Sequence, residues 1–197
     1  MMRNAIIVHG RPSKRQYYIL KILHIRPTTL IWQGWLKKQL SKHGIEVDAP
    51  NMPRASDPNW DLWCREVEKS KIGPQTILVG HSCGAGFWIR YLSEHPDLRV
   101  GKVVLVAPWL GDDYGAPPTD FFEGYKIDPN LVSRTKGVTI FYSNNDFKVI
   151  HKAVSRLKST VKNARYRQFN NYGHFTFGSM KTRKFPEVLE ECLTGNT

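Results

Sequence analysis

The sequence predicts an α/β fold, with a mostly parallel central sheet of about six strands and helices on both faces. Two observations carry that prediction. Short apolar runs alternate with longer amphipathic stretches along the whole chain, the pattern of a parallel sheet joined by crossover helices. Several runs are nearly continuous in Val, Ile and Leu, as strands covered on both faces must be.

The strands are expected at residues 5–8, 45–48, 76–79, 102–106, 138–142 and 164–169. Between them, residues 32–42 carry Trp32, Trp35, Leu36 and Leu40 near helical spacing, with Gly44 as the stop. Asp57-Pro58 reads as a cap followed by a proline in the first turn of a helix that runs to about Lys69. Further helices are expected at 85–93, 149–160 and 185–193. Residues 11–29 fit either a short helix or an extended loop over a site. Residues 109–136 are irregular and too short for a full cap domain.

At 197 residues the chain is expected to form one domain spanning 1–197. A hydrophobic share of 41% with 23% charged residues is ordinary for a globular chain and argues against disorder. Lys and Arg number 29 against 17 Asp and Glu, a net charge of +12. These cations are scattered and no nucleic-acid-binding motif accompanies them, so a solvated basic surface is expected and specific nucleic-acid binding is not. The three cysteines, Cys64, Cys83 and Cys192, suggest neither a disulfide framework nor a metal site. No run approaches the roughly 20 apolar residues of a membrane span. A cytoplasmic location and no membrane partner are the expectations.

The chemistry centres on Gly80-His81-Ser82-Cys83-Gly84. A Gly-x-Ser-x-Gly match alone is weak, but this one stands between an expected strand and an expected helix. Such an elbow lifts the serine oxygen above the strand ends. A serine hydroxyl is a poor nucleophile without a base, an orienting acid and an oxyanion hole. After such an elbow the acid and then the histidine follow in chain order. His174, in the loop after the last strand, is the expected base. Asp146, after the 138–142 strand, is the expected acid, with Asp112 or Asp113 as rivals at the end of the preceding strand. The oxyanion donors are expected to be the backbone N–H groups of Cys83 and Arg11, with Gly10 allowing a close turn. Trp109, Phe121, Phe122 and Tyr125 are equally readable as an apolar acyl pocket or as packing.

Taken together, these residues resemble the retinoblastoma-binding protein nine group of serine hydrolases, which includes small bacterial YdeN-type proteins. The resemblance rests on His9-Gly10, the Trp35–Leu40 stretch, Pro50-Asn51-Met52-Pro53, Trp60, Trp63 and the elbow. It continues through Leu105-Val106-Ala107-Pro108, Ser143-Asn144-Asn145-Asp146 and Gly173-His174-Phe175. It implies a compact α/β-hydrolase fold, a triad on Ser82, Asp146 and His174, and esterase or amidase chemistry without a cofactor or metal. The segment from Arg11 to Leu30 is longer than the corresponding family loop. The same fold also admits a binding protein with little turnover, or a lyase or cofactor-free peroxidase reaction on the same residues. Leu62-Trp63-Cys64-Arg65-Glu66 matches a pocket-protein ligand pattern, but inside an amphipathic helix it cannot present all of these residues to a partner.

Overall fold

A computed structural model describes residues 3–111 and 120–194. All six strands form, as one parallel sheet: β1 Asn4–Val8, β2 Glu46–Asp48, β3 Ile77–His81, β4 Val103–Val106, β5 Val138–Ser143 and β6 Arg165–Phe169. Their order is β2-β1-β3-β4-β5-β6. The chain therefore starts inside the sheet, steps outward to β2, and returns on the other side of β1 to build β3 through β6. That reversal opens a crevice beyond the carboxyl ends of β1 and β3, where ligands bind in open α/β sheets. The register Val8↔Gly80 brings the ends of these two strands together.

The helices are α1 Lys14–Ile22, α2 Trp32–Lys42, α3 Trp60–Val67, α4 Cys83–Glu94, α5 Lys148–Thr160, α6 Phe177–Met180 and α7 Pro186–Leu193. They cover both faces of the sheet. Helix α2 packs with α7, while α3 meets α4 through Trp63 and Phe87, ring centroids 5.7 Å apart. Strands β3 and β4 are buried along their whole length, which accounts for their uninterrupted aliphatic character. At the β6 edge, Arg165 and Arg167 converge with Lys102 on the buried carboxylate of Glu191.

Three expectations change in detail. Helix α3 begins at Trp60 and not after Asp57-Pro58, because the Asn59 side chain caps it by accepting from the Leu62 N–H at 3.0 Å, while Asp57 pairs with Arg54 in the preceding turn. The 11–29 segment resolves as a helix, α1, started by a reciprocal box. The Ser13 hydroxyl accepts from the Gln16 N–H, and the Gln16 side chain accepts from the Ser13 N–H. Helix α6 was not anticipated. Among the described residues no helix is long and apolar enough to cross a membrane. Trp63 is fully buried inside α3, so the Leu62–Glu66 pattern is helical packing.

Candidate active site

Ser82 is the single residue between β3 and α4, at φ 54° and ψ −118°. A non-glycine residue at positive φ is strained and needs surroundings that hold it there. The Ser82 N–H donates to Val106 at 2.9 Å, and its carbonyl accepts from the Trp109 N–H at 3.1 Å. The two elbow glycines make the turn sterically possible. A Cβ on Gly80 would lie 2.5 Å from the Gly84 carbonyl oxygen, and one on Gly84 would lie 2.4 Å from that of Val8. Any larger residue at either position would push α4 off the strands.

The Ser82 Oγ lies 2.9 Å from His174 Nε2, and His174 Nδ1 lies 2.9 Å from an Asp146 carboxylate oxygen. An ionised carboxylate only accepts, so Nδ1 carries the proton and the Nε2 lone pair faces the serine hydroxyl. The Asp146 carboxylate is wholly removed from solvent, and one of its oxygens also accepts from the Phe147 N–H at 2.7 Å. The rival acids Asp112 and Asp113 lie outside the described residues.

Two loops must stay in register for this relay, and a polar run not given a role in the sequence reading holds them. Asn145 Oδ1 accepts from the Gly173 N–H at 2.8 Å and from the Ser143 hydroxyl at 2.8 Å. Ser143 Oγ accepts from the Tyr172 N–H at 3.0 Å, and Asn144 Oδ1 from the Asn171 N–H at 2.9 Å. Three consecutive side chains thus stitch the Asp146 loop to the His174 loop. The signal was three short polar residues directly after an apolar strand, a composition suited to bonding nearby backbone.

Two buried imidazoles complete the surroundings. His81 Nε2 donates to the His174 carbonyl at 3.0 Å. Burial, and after it the repulsion that a proton on both His81 and His174 would meet, lowers its pKa to about 3. His9 Nδ1 donates to the Gly10 carbonyl at 2.7 Å, while Nε2 accepts from the Met52 N–H at 3.1 Å; burial lowers its pKa to about 4. His9 thereby links the β1 loop to the Asn51-Met52-Pro53 turn. The Cys83 thiol is fully buried, and burial raises its pKa well above the usual thiol range. It stays protonated and is a packed group. Among the described residues neither the Arg11 nor the Cys83 backbone N–H donates a hydrogen bond.

A cavity of about 410 Å³ reaches Ser82 and His174. Gly10, Arg11 and His81 border it, as does Thr176. Its apolar wall is Ile19 and Leu20 of α1 with Pro27, Leu30 and Ile31. The aromatic quartet expected as a possible pocket lies elsewhere. Phe121 is fully buried against Trp60, Trp63 and Phe87, Phe122 stacks edge-on with Trp109, and Tyr125 faces the Arg90 guanidinium. Trp109 meets the site through its backbone N–H on the Ser82 carbonyl, while its ring lies beneath the Arg11 guanidinium at 5.0 Å and is no part of the cavity wall. A larger groove of about 540 Å³ opens where the strands begin, around Asn4, Glu46 and Thr76. It contains no histidine and its Ser70 is bonded to Asp48, so it offers no activated nucleophile.

A family model described as serine hydrolase matches residues 27–190. The chain belongs to the serine hydrolase family. It is 28% identical over 184 residues to the candidate hydrolase YdeN of Bacillus subtilis, covering 89% of this chain and 87% of that one. It is 31% identical over 83 residues to the serine hydrolase RBBP9 of Rattus norvegicus, covering 41% and 43%. The solved structure of the B. subtilis ydeN product superimposes with a TM-score of 0.74 at 22% identity over 96% of both chains. The α/β-hydrolase fold implied by the sequence motifs is therefore the fold of this chain.

Proposed function

We propose that this serine hydrolase cleaves small ester or amide bonds, and esters of aliphatic acids above all, through an acyl-enzyme on Ser82. The observation that carries the reading is the hydrogen-bonded run from Ser82 Oγ through His174 to Asp146, opening into an apolar cavity. In the first step Ser82 Oγ bonds to the substrate carbonyl carbon while its proton passes to His174 Nε2. Asp146 holds the ring in the required tautomer and stabilises the imidazolium. His174 then gives that proton to the departing alcohol or amine as the old C–O or C–N bond breaks. Water repeats the sequence on the acyl-serine, releasing the acid and restoring Ser82.

The transient oxyanion needs two donors fixed in advance. The Cys83 N–H is an orphan at the start of α4. For the second we propose the Arg11 N–H, which the peptide geometry supports. Among the described residues no peptide bond is cis, so the Arg11 N–H points opposite to the Gly10 carbonyl across one plane. His9 holds that carbonyl, which fixes the orientation of the peptide that carries the N–H, and Arg11 lines the same cavity as Ser82.

A fluorophosphonate probe and p-nitrophenyl acetate test the reading. Wild type should label and turn over, while Ser82→Ala should lose the label and at least about 10³-fold in kcat. A folded wild type that stays unlabelled at neutral pH refutes it.

A further inference from the structure

Helix α1 buries Leu20 but carries further apolar side chains on its solvent side. Tyr18, Ile19 and Ile22 recur at helical spacing and share one face, yet that face points outward. Tyr18 is 63% exposed and Ile22 73%, and Leu23 just beyond is 58% exposed. Contiguous exposed apolar side chains mark an interaction site more often than scattered ones do. Ile19 connects this face to the chemistry, being both solvent-exposed and part of the cavity wall that leads to Ser82.

The charges beside this face have one sign. Lys14 and Lys21 stand one helical turn either side of Tyr18, and Arg15 one turn before Ile19. All three are exposed. The first 45 residues contain nine Lys and Arg and not one Asp or Glu. A second stretch beside the cavity repeats the arrangement. Thr176 lines the cavity, and next to it Phe177 is 49% exposed with the Arg183 guanidinium 5.1 Å from its ring. Residues 170–184 likewise contain Lys181, Arg183 and Lys184 but no acid. Phe147, also exposed, stacks on His174 itself at 5.2 Å.

We propose that this rim, with the outward face of α1 at its centre, seats the enzyme on an anionic lipid surface from which the ester substrate enters the cavity. Apolar side chains that dip below the headgroups, flanked by cations that meet anionic ones, are the two components of interfacial binding. Among the described residues no helix is long and apolar enough to cross a membrane, and the attachment proposed is peripheral. The inference about the substrate's route rests on the esterase reading; the docking itself does not.

The test uses the full-length Ser82→Ala protein, so that binding is measured without turnover. Vesicles of phosphatidylcholine with 30% phosphatidylglycerol, about that fraction being enough to give a strongly negative surface, are compared with phosphatidylcholine alone in a sedimentation assay. Binding is expected to the anionic vesicles, falling at least tenfold on neutral ones. Tyr18→Gln with Ile22→Gln keeps good helix formers and should weaken anionic binding at least tenfold. Lys14→Gln with Lys21→Gln should do the same. In the Ser82 background both pairs should turn over p-nitrophenyl acetate within twofold of wild type. Three results overturn the proposal: no binding to anionic vesicles, binding that survives the Tyr18/Ile22 pair, or light scattering that shows this face occupied by a second copy of the chain. Loss of all ester turnover in wild type with vesicle binding intact would sink the esterase reading and leave the docking standing.

Discussion

The wall of the cavity that bears Ser82, Asp146 and His174 is tied by directional bonds, whereas the wall from Lys14 to Ile31 is laid against it mainly through apolar contact. On the first wall, Ser143, Asn144 and Asn145 bond across to the backbone of the His174 loop, His81 bonds to the His174 carbonyl, and His9 pins Gly10 to Met52. On the second, the side chain directed inward is Leu20, and the neighbouring Ile19, Ile22 and Leu23 stand in solvent. Reacting atoms must be held within a fraction of an ångström, and directional bonds do that. In the proposed reading an acyl chain only has to leave water, and apolar contact suffices. The division of construction follows the division of labour.

Acid should separate the two walls most strongly, because both buried imidazoles belong to the bonded one. Their folded pKa values, about 4 for His9 and about 3 for His81, lie below the ordinary 6.5. The unfolded chain therefore binds these protons first, and stability falls as pH drops from about 6.5 toward those values. By pH 5 each ring contributes about 2 kcal/mol of lost stability, or about 4 kcal/mol together. Urea unfolding at pH 7 and pH 5 measures the loss. A flat profile over that interval would mean that at least one ring is charged in the native state, and the bonding assigned to it would be wrong.

The next effect is on catalysis. His9→Ala frees the Gly10 carbonyl and with it the peptide that carries the Arg11 N–H. Loss of one oxyanion donor costs about 10²–10³ in rate; a donor displaced by about 1 Å costs about 10². The His9 variant should lose about 10² in kcat with KM for p-nitrophenyl acetate little changed. The split between the two constants is the informative readout, since a protein merely loosened would lose both. Native circular dichroism should accompany it.

The bonded wall was largely legible in the sequence and the apolar one was not. Ser82 was legible because an elbow needs glycines at fixed offsets, a strand before it and a helix after it. His174 and Asp146 are the base and acid expected from chain order, with Asp112 or Asp113 as rivals that lie outside the described residues; the 2.9 Å contact of Asp146 with His174 is a through-space distance not written in sequence. The apolar wall escaped for a different reason. Trp109, Phe121, Phe122 and Tyr125 drew attention as aromatics, yet large aromatics fill cores as readily as they line pockets. The start of α1 was available in Ser13 and Gln16, the two ends of a capping box. What obscures the helix is that only Leu20 is buried while Tyr18, Ile19 and Ile22 are exposed, so no single buried stripe marks it.

Paired substitutions, one on each wall, give the smallest effects and the finest test of the contrast. Asn145→Ala removes the acceptor that serves both Gly173 and Ser143. Because water reaches this exposed position, the stability loss should be limited to about 1 kcal/mol. The His174 loop should nonetheless loosen and lower kcat about tenfold for acetate and octanoate esters alike. Leu20→Ala works in the opposite sense. It takes apolar surface from the cavity wall without touching the relay, so acetate turnover should stay within about twofold. A longer acyl chain loses the contact of roughly two methylenes at about 0.8 kcal/mol each, which lowers kcat/KM for p-nitrophenyl octanoate about tenfold. The ratio of the two esters therefore moves for Leu20→Ala and stays constant for Asn145→Ala. If Leu20→Ala slowed both esters equally, α1 would be bracing the catalytic loops and not shaping the acyl site, and the two walls would be one structure.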